Sequence, residues 1–275
     1  MGLKNLLEKK LNKKELEYLK TSFDVIGDVA VIEIPDELKK KEKDIARALV
    51  KVHPHIKTVL KKSSNRFGEY RLRKMTTIIG RKTETDVKEH GCVFRLDVKK
   101  AYFSPRESTE RQKVASDVKP KETILVMFSG VAPFAVAIAK KQPKVDKIYA
   151  VEINPDAHKY ALNNARINKV GGKVFPICGD VRKECVRFYG KCNRIIMPLP
   201  KEGHQFLPTA IKCLKRNGTI YFYYVGMKDN MFQNAIDIVK MECNKIGKKA
   251  QIVKQRKVLP YGPGTYKICI EFKVR

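Results

Sequence analysis

The segment Met127-Phe128-Ser129-Gly130-Val131-Ala132-Pro133-Phe134 follows a short apolar run and precedes a helix-forming one. Gly130 and Ala132 are small enough for backbone to approach a ligand closely. A single small-residue turn of this kind is a weak signal. Two acids strengthen it. Glu152 closes the next apolar run, about twenty residues on, where a carboxylate can accept from both hydroxyls of a ribose. Asp180 follows a third such run, Val174 to Cys178, and is placed to accept from an adenine amino group. Taken singly, each acid reads equally well as an N-cap or a surface charge. At successive strand ends, the pair points to an adenosine-containing cofactor. The later glycines of a dinucleotide fingerprint are missing, which disfavours NAD.

These residues need a frame that sets them side by side. From about Thr109 onward, strand-like and helix-like segments alternate. Predicted strands cover Thr123 to Phe128, Lys147 to Glu152, Val174 to Cys178, Arg194 to Met197 and Thr219 to Val225. Pro133 suits the first turn of a helix running to Lys141. Asn154 and Pro155 open another helix as cap and first residue, and Ala157, Ala161 and Ala165 give it a small-residue face for packing on a sheet. A helix after Met197 is expected to end at Asn217-Gly218, a C-cap signature. A long helix over Asn230 to Ile246 leads to Gln251 to Val258 and Tyr266 to Val274, which should pair antiparallel because no helix separates them. The alternation predicts an α/β doubly wound sheet, with its ligand crevice at the carboxyl ends of the strands.

Upstream, helical stretches at Leu3 to Lys20 and Glu37 to Val52 flank β-like runs at Val25 to Ile34, Thr76 to Ile79 and Val93 to Val98. They form a small α+β module. The expected organisation is an N-terminal α+β domain over 1–107 and a Rossmann-like domain over 108–275.

Composition bounds the partners. The 275 residues carry 58 Lys+Arg against 29 Asp+Glu, a formal charge of +29. Such an excess points to a polyanion. A lysine-rich surface can also reflect a hot habitat, but that surface usually gains Glu along with Lys. The excess is uneven: Lys51 to Lys82 holds ten Lys or Arg and one acid, Glu69. That block is a plausible phosphate-contacting face. No run is long and apolar enough to span a bilayer, and the N-terminus lacks a signal-peptide core, so no membrane partner and a cytoplasmic location are expected. The seven cysteines form no CxxC pair, which fits reduced, mostly buried thiols and no metal.

The most specific stretch is Tyr102-Phe103-Ser104-Pro105-Arg106-Glu107-Ser108-Thr109-Glu110-Arg111. With Met127 to Phe134, Ile196-Met197-Pro198-Leu199-Pro200-Lys201 and Leu259-Pro260-Tyr261-Gly262-Pro263, it closely resembles the archaeal and eukaryotic tRNA (guanine-37-N1)-methyltransferases. The resemblance runs from about Gly68 to the C-terminus. It implies a class I methyltransferase fold, S-adenosylmethionine as cofactor, and tRNA bound near the anticodon stem-loop by a monomer. Tyr102 and Phe128 would line the cofactor pocket beside Gly130, Glu152 would hold the ribose, and Asp180 would contact the adenine. Glu110 would be the general base and Arg71 would hold the guanine O6. The loop of Pro198 and Pro200 would support the target base. The family's N-terminal module for the tRNA elbow is not expected, because the chain starts too late to contain it. Without the resemblance, Glu110 reads as a helix-start residue pairing with Arg111 or Lys113, Arg71 as a phosphate contact, and Tyr102 as a core aromatic.

Three positions depart from the family pattern. Val126 stands where an acid usually ends the first strand, Ala132 replaces a glycine, and Pro198 replaces an asparagine that orients the guanine. The last change removes a side-chain donor and acceptor. It keeps open a sister transferase acting on a wyosine-type base, moving a methyl or an aminocarboxypropyl group. Val126 and Ala132 keep open another alternative, a catalytically degenerate tRNA-binding module.

Overall fold

A computed structural model describes residues 2–64, 68–70 and 72–275. The chain divides into two compact units, one of residues 1–89 and 93–105, the other of residues 90–92 and 106–275.

The first unit opens with two short helices, α1 (Leu3–Leu7) and α2 (Lys13–Tyr18), where the sequence predicts one. A capping box between Asn12 and Glu15 starts α2 afresh and breaks the run. The run Val25 to Ile34 likewise folds back on itself, as β1 (Asp24–Ile26) and β2 (Val29–Ile32) around Gly27 at φ +58°. The helix α3 (Glu42–Val52) buries Ile45, Ala46, Ala48 and Leu49, and leads to β3 (Thr58–Lys62), β4 (Met75–Ile79), β5 (Glu84–Glu89) and β6 (Cys92–Asp97). The first four strands form a mixed sheet in the order β1-β2-β3-β4, with β2 and β3 parallel; β5 and β6 form a separate two-stranded sheet. β3 and β5 were not legible, because lysines and alternating acids mask their apolar residues.

The second unit contains α4 (Ser108–Ser116), β7 (Thr123–Met127), α5 (Pro133–Lys141), β8 (Lys147–Glu152), α6 (Pro155–Ile167), β9 (Val174–Cys178) and the short α7 (Val181–Glu184). It continues with β10 (Cys192–Met197), α8 (Leu207–Cys213), β11 (Leu214–Met227), α9 (Gln233–Asn244), β12 (Ala250–Gly262) and β13 (Thr265–Val274). The sheet order is β12-β13-β11-β10-β7-β8-β9. The strands from β11 to β9 are mutually parallel, while β13 runs antiparallel between β11 and β12. Beyond Thr123 in β7 and Arg194 in β10 the central strands are apolar: Ile124, Leu125, Val126, Met127, Ile195, Ile196 and Met197 are all fully buried. A parallel sheet covered on both faces requires such runs. Strand order reverses between β7 and β10, so their carboxyl ends diverge and open the crevice that such folds use for ligands.

One expectation fails here. The helix after β10 ends at Cys213, not at Asn217-Gly218. Leu214 already pairs with Cys192, while Thr219 pairs with Arg194, so the residues between them bulge from β11. Asn217 has φ +61° inside that bulge. A bulge and a helix C-cap both call for a left-handed residue, and sequence cannot tell them apart.

The cap of α6 is as the sequence predicts. The Asn154 side chain accepts from the N–H groups of Asp156 (3.0 Å) and Ala157 (3.4 Å). Ala157, Ala161, Asn164 and Ala165 are its buried face. We expect Asn154→Ala to lower unfolding free energy by about 1 kcal/mol, read as a lower urea midpoint with an unchanged slope.

Candidate active site

The loop after β7 is a tight left-handed turn. Phe128, Gly130 and Ala132 have φ of +54°, +56° and +63°. Glycine occupies that region without strain, whereas a Cβ costs roughly 1–2 kcal/mol there. The departure at Ala132 is therefore a strained one, held by the structure around it. Ala132 N–H donates to the Ser129 carbonyl (2.9 Å), Ser129 N–H to the Val151 carbonyl (2.9 Å), and the buried Asn164 amide to the Val131 carbonyl (3.0 Å). Asn164 is a support of this turn that sequence reading missed. Its one signal is that it breaks an otherwise all-alanine packing face. Val126 is fully buried between Ile196 and Ala150, so a hydrocarbon fills the place of the family's usual acid.

Glu152 lies under this turn. One carboxylate oxygen accepts from Gly130 N–H (2.6 Å), the other from Asn154 N–H (2.9 Å). Each oxygen keeps lone-pair capacity for a further donor. The Ser129 hydroxyl beside it is buried with no hydrogen-bond partner among the described residues. A buried carboxylate with spare acceptors next to an unused hydroxyl suits a polar ligand rich in O–H donors, as a ribose is. Gly179 joins the ends of β8 and β9 through its N–H to the Glu152 carbonyl (2.9 Å). Its φ is +153°, and a Cβ there would lie 2.7 Å from Glu184 Cγ, so glycine is required.

Asp180 caps α7: its side chain accepts from Arg182 N–H (2.7 Å) and lies 3.7 Å from the Arg182 guanidinium. The N-cap reading of this acid is therefore correct. The contact to an adenine remains compatible with it, through the lone pairs left over. Arg182 also lies over the Phe206 ring at 4.2 Å, and Phe206 meets Phe128 edge to face at 4.7 Å. Phe128, Phe206 and Asp180 thus stand together. Phe206 had no signal in the sequence, because it belongs to a turn far along the chain.

Glu110 is buried in α4 and pairs with neither Arg111 nor Lys113 among its resolved contacts. Its Oε1 accepts from Tyr223 Oη (2.6 Å) and Arg256 Nη2 (2.6 Å), and Arg256 Nε lies 3.1 Å from both oxygens. Tyr223 follows Phe222, which is level with Met197 across the sheet. Glu110 therefore sits at the same sheet end as the crevice. The Tyr223 ring lies 6.0 Å from Phe134 at the start of α5. Burial works to discharge Arg256, but its hydrogen bonds to Glu110 outweigh this and hold the guanidinium charged. Burial likewise pushes the Tyr223 hydroxyl well above its usual value, so it stays a donor.

Pro198 and Pro200 follow β10 directly, with Pro200 buried and Pro198 half-buried. The Lys201 ammonium next to them lies 5.9 Å from the Tyr261 ring, which ties this loop to the tip of the β12–β13 hairpin. Tyr102 belongs to the first unit. It is half-exposed there and lines a cleft with Asp24, Lys62, Arg73 and Phe103. Arg71 lies outside the described residues. Of the basic block, Lys57, Lys61 and Lys62 face Asp28, Glu42 and Asp24 at 3.7, 2.6 and 3.5 Å. Part of that block is thus locally neutralised. Among the described residues no group of His, Cys, Asp and Glu could hold a metal, and no helix is long and apolar enough to cross a membrane. Cys178 is exposed and the other cysteines are buried.

Burial raises the Glu152 carboxyl above the ordinary glutamate value, against the pull of the N–H groups of Asn154, Gly130 and Ile153. The unfolded chain binds that proton less tightly. The stability Glu152 contributes below the ordinary value is therefore lost as pH rises through the raised one. Urea unfolding from about pH 4 to 7 should show wild type losing stability relative to Glu152→Gln as pH increases. A constant difference would contradict this.

Two family models match the chain. Residues 85–253 match the TRM5/TYW2 methyltransferase domain and residues 3–83 the TYW2 N-terminal domain. The second match covers the stretch ahead of Gly68 that the sequence motifs left unassigned. A tRNA (guanine(37)-N(1))-methyltransferase Trm5b of Pyrococcus abyssi is 42% identical over 94% of this chain and 76% of its own length. Among solved structures, the complex of aTrm5 and tRNALeu is similar with a TM-score of 0.88 at 33% identity, covering 100% of this chain and 78% of that one. TYW2 of P. horikoshii in complex with MeSAdo has a TM-score of 0.83 at 26% identity, covering 99% and 97%. With its seven-stranded class I sheet and its methyltransferase-domain match, the chain belongs to the TRM5/TYW2 methyltransferase family.

Proposed function

We propose that this protein is a tRNA methyltransferase that transfers a methyl group from S-adenosylmethionine to N1 of guanosine 37. The observation that carries the reading is the pairing, at one sheet end, of the Glu152 cradle with a second buried carboxylate, Glu110. Relatives named as guanine-37-N1 methyltransferases and a related tRNA complex support it. S-adenosylmethionine supplies a methyl group on an already activated sulfonium. Glu152 holds the ribose hydroxyls, Asp180 meets the adenine amino group, and the Gly130 backbone and Phe128 line the pocket.

The target atom needs more help than the donor. Guanine N1 carries a proton and is a poor nucleophile until it leaves. Glu110 takes that proton as the general base. The electron pair left on N1 forms the new bond to the methyl carbon, and the pair of the breaking carbon–sulfur bond stays on sulfur. Charge that develops on O6 is met by Arg71. The base must leave its stack to reach the pocket, and the Pro198 and Pro200 loop supports it there. The N-terminal domain, residues 1–107, contacts the RNA around the anticodon stem-loop, aided by a formal charge of +29 on the chain. The working species is a monomer in the cytoplasm.

A second reading has specific support. Pro198 has neither the amide of asparagine nor a backbone N–H, and residues 3–83 match the TYW2 N-terminal domain. Both observations favour a transferase acting on a wyosine-type base at the same position. Labelled S-adenosylmethionine with transcripts carrying G37 or A37, followed by nucleoside analysis, separates the readings. We expect 1-methylguanosine with G37 alone. Its absence, with a modified tricyclic base on hypomodified native tRNA, would establish the second reading instead. Glu110→Gln should lower the single-turnover rate by about 100-fold or more, with cofactor affinity little changed.

A further inference from the structure

Glu110 is held by the ends of three strands. Tyr223 of β11, Cys269 of β13 and Arg256 of β12 are paired across the sheet in one row. The small Cys269 in the middle leaves a slot, and the Glu110 carboxylate bonds to the residues on either side of it. Two residues along β13 from Cys269, Arg256 Nη1 also reaches Glu271 Oε2 at 3.4 Å. The side chains of Arg256, Glu110 and Glu271 are 10%, 7% and 7% exposed, so water does little to screen them. Two buried carboxylates therefore share one guanidinium. The other charges nearby are matched: Lys267 pairs with Glu107 at 2.7 Å, and Arg194 with Glu122 at 2.6 Å. Arg111 belongs to α4 itself, and α5, packed on α4, has no titratable residue before Lys140.

The contacts on the two Glu110 oxygens are unequal. Oε1 takes the Tyr223 hydroxyl and Arg256 Nη2 and shares Nε, whereas Oε2 takes only Nε at 3.1 Å. Oε2 is the atom with room for a new proton. When it receives one, Arg256 loses its main counter-charge, and Glu271 is already in place to supply another.

We infer that Arg256 and Glu271 are a pair of positioning residues that set the proton affinity of Glu110 in opposite directions. This rests on the reading of Glu110 as the general base. Arg256 orients the carboxylate through its Nε and Nη2 contacts. Glu271 draws on the same guanidinium, which restores the proton appetite that an exclusive Arg–Glu pair would suppress.

The test is the pH dependence of single-turnover methylation, using the full chain, saturating S-adenosylmethionine and a transcript carrying G37. Glu271→Gln leaves Arg256 wholly to Glu110, so the acid limb should move down by about one pH unit and the plateau rate should fall. Arg256→Gln removes the cation, so the limb should move up by a similar amount. Arg256→Lys keeps the charge and should stay near wild type. Thermal unfolding and calorimetric cofactor affinity identify any variant that fails to fold. Should Arg256→Gln fail, the downward shift in Glu271→Gln against the unmoved Arg256→Lys decides the matter. Glu110→Gln separates the layers. If it keeps the wild-type acid limb, Glu110 is not the base, and the proposed role of that residue fails. If it loses the limb while Arg256→Gln and Glu271→Gln leave it in place or move it the same way, the inference alone is overturned.

Discussion

The buried ion pair between Glu110 and Arg256 is the contact on which the arrangement of the second unit turns. Helices in α/β folds usually dock on the sheet through an apolar stripe. α4, with the sequence STERQKVAS, has only a short one, Val114 and Ala115. It presents acids as well. Glu107 meets Lys267, Glu110 meets the row of Tyr223, Cys269 and Arg256, and just past the helix Asp117 meets Tyr221 at 3.3 Å and Lys254 at 3.9 Å. Lys267, Cys269 and Glu271 alternate along β13, so they share one face of the sheet. The register of an acidic stripe against a polar sheet face sets where α4 lies.

Such a joint is directional more than it is strong. Removing water from two charges costs nearly as much as their attraction returns, and removing one partner leaves about 3–5 kcal/mol of uncompensated charge. Apolar residues of similar size could hold the helix as firmly, but they would tolerate sliding. Hydrogen bonds at 2.6 to 2.7 Å to named partners do not. The result is a carboxylate held in one position at the carboxyl end of the parallel strands. Catalysis by proton removal depends on that kind of placement.

The proposed cofactor side uses different means. There the backbone does the positioning: three left-handed residues in a five-residue turn, a carboxylate fixed by two N–H groups, and a glycine with no space for a Cβ. Ala132 keeps the turn although its methyl group is disfavoured there, because α5 starts at the next residue and Asn164 fixes the turn from behind. The polar joint around Glu110 and the backbone turn around Glu152 meet through Phe134 and Tyr223.

The amino-acid sequence by itself determined the alternation of strands and helices, the cap at Asn154, the alanine face of α6, the terminal hairpin, and the motifs that carry the family resemblance. All of these are local: periodicity, turn chemistry and short ordered motifs are set by neighbours in the chain. Tertiary structure decided the rest. It made Asn217 and Gly218 a bulge, because a left-handed residue serves strands and helices alike. It brought Phe206 to Phe128 and Asn164 to the cofactor turn, contacts that no spacing encodes. It gave Glu110 the partner Arg256, 146 residues away, in place of the neighbours Arg111 and Lys113. A charge along the chain shows that a counter-charge must exist, but only the strand register across β11, β13 and β12 says which one it is.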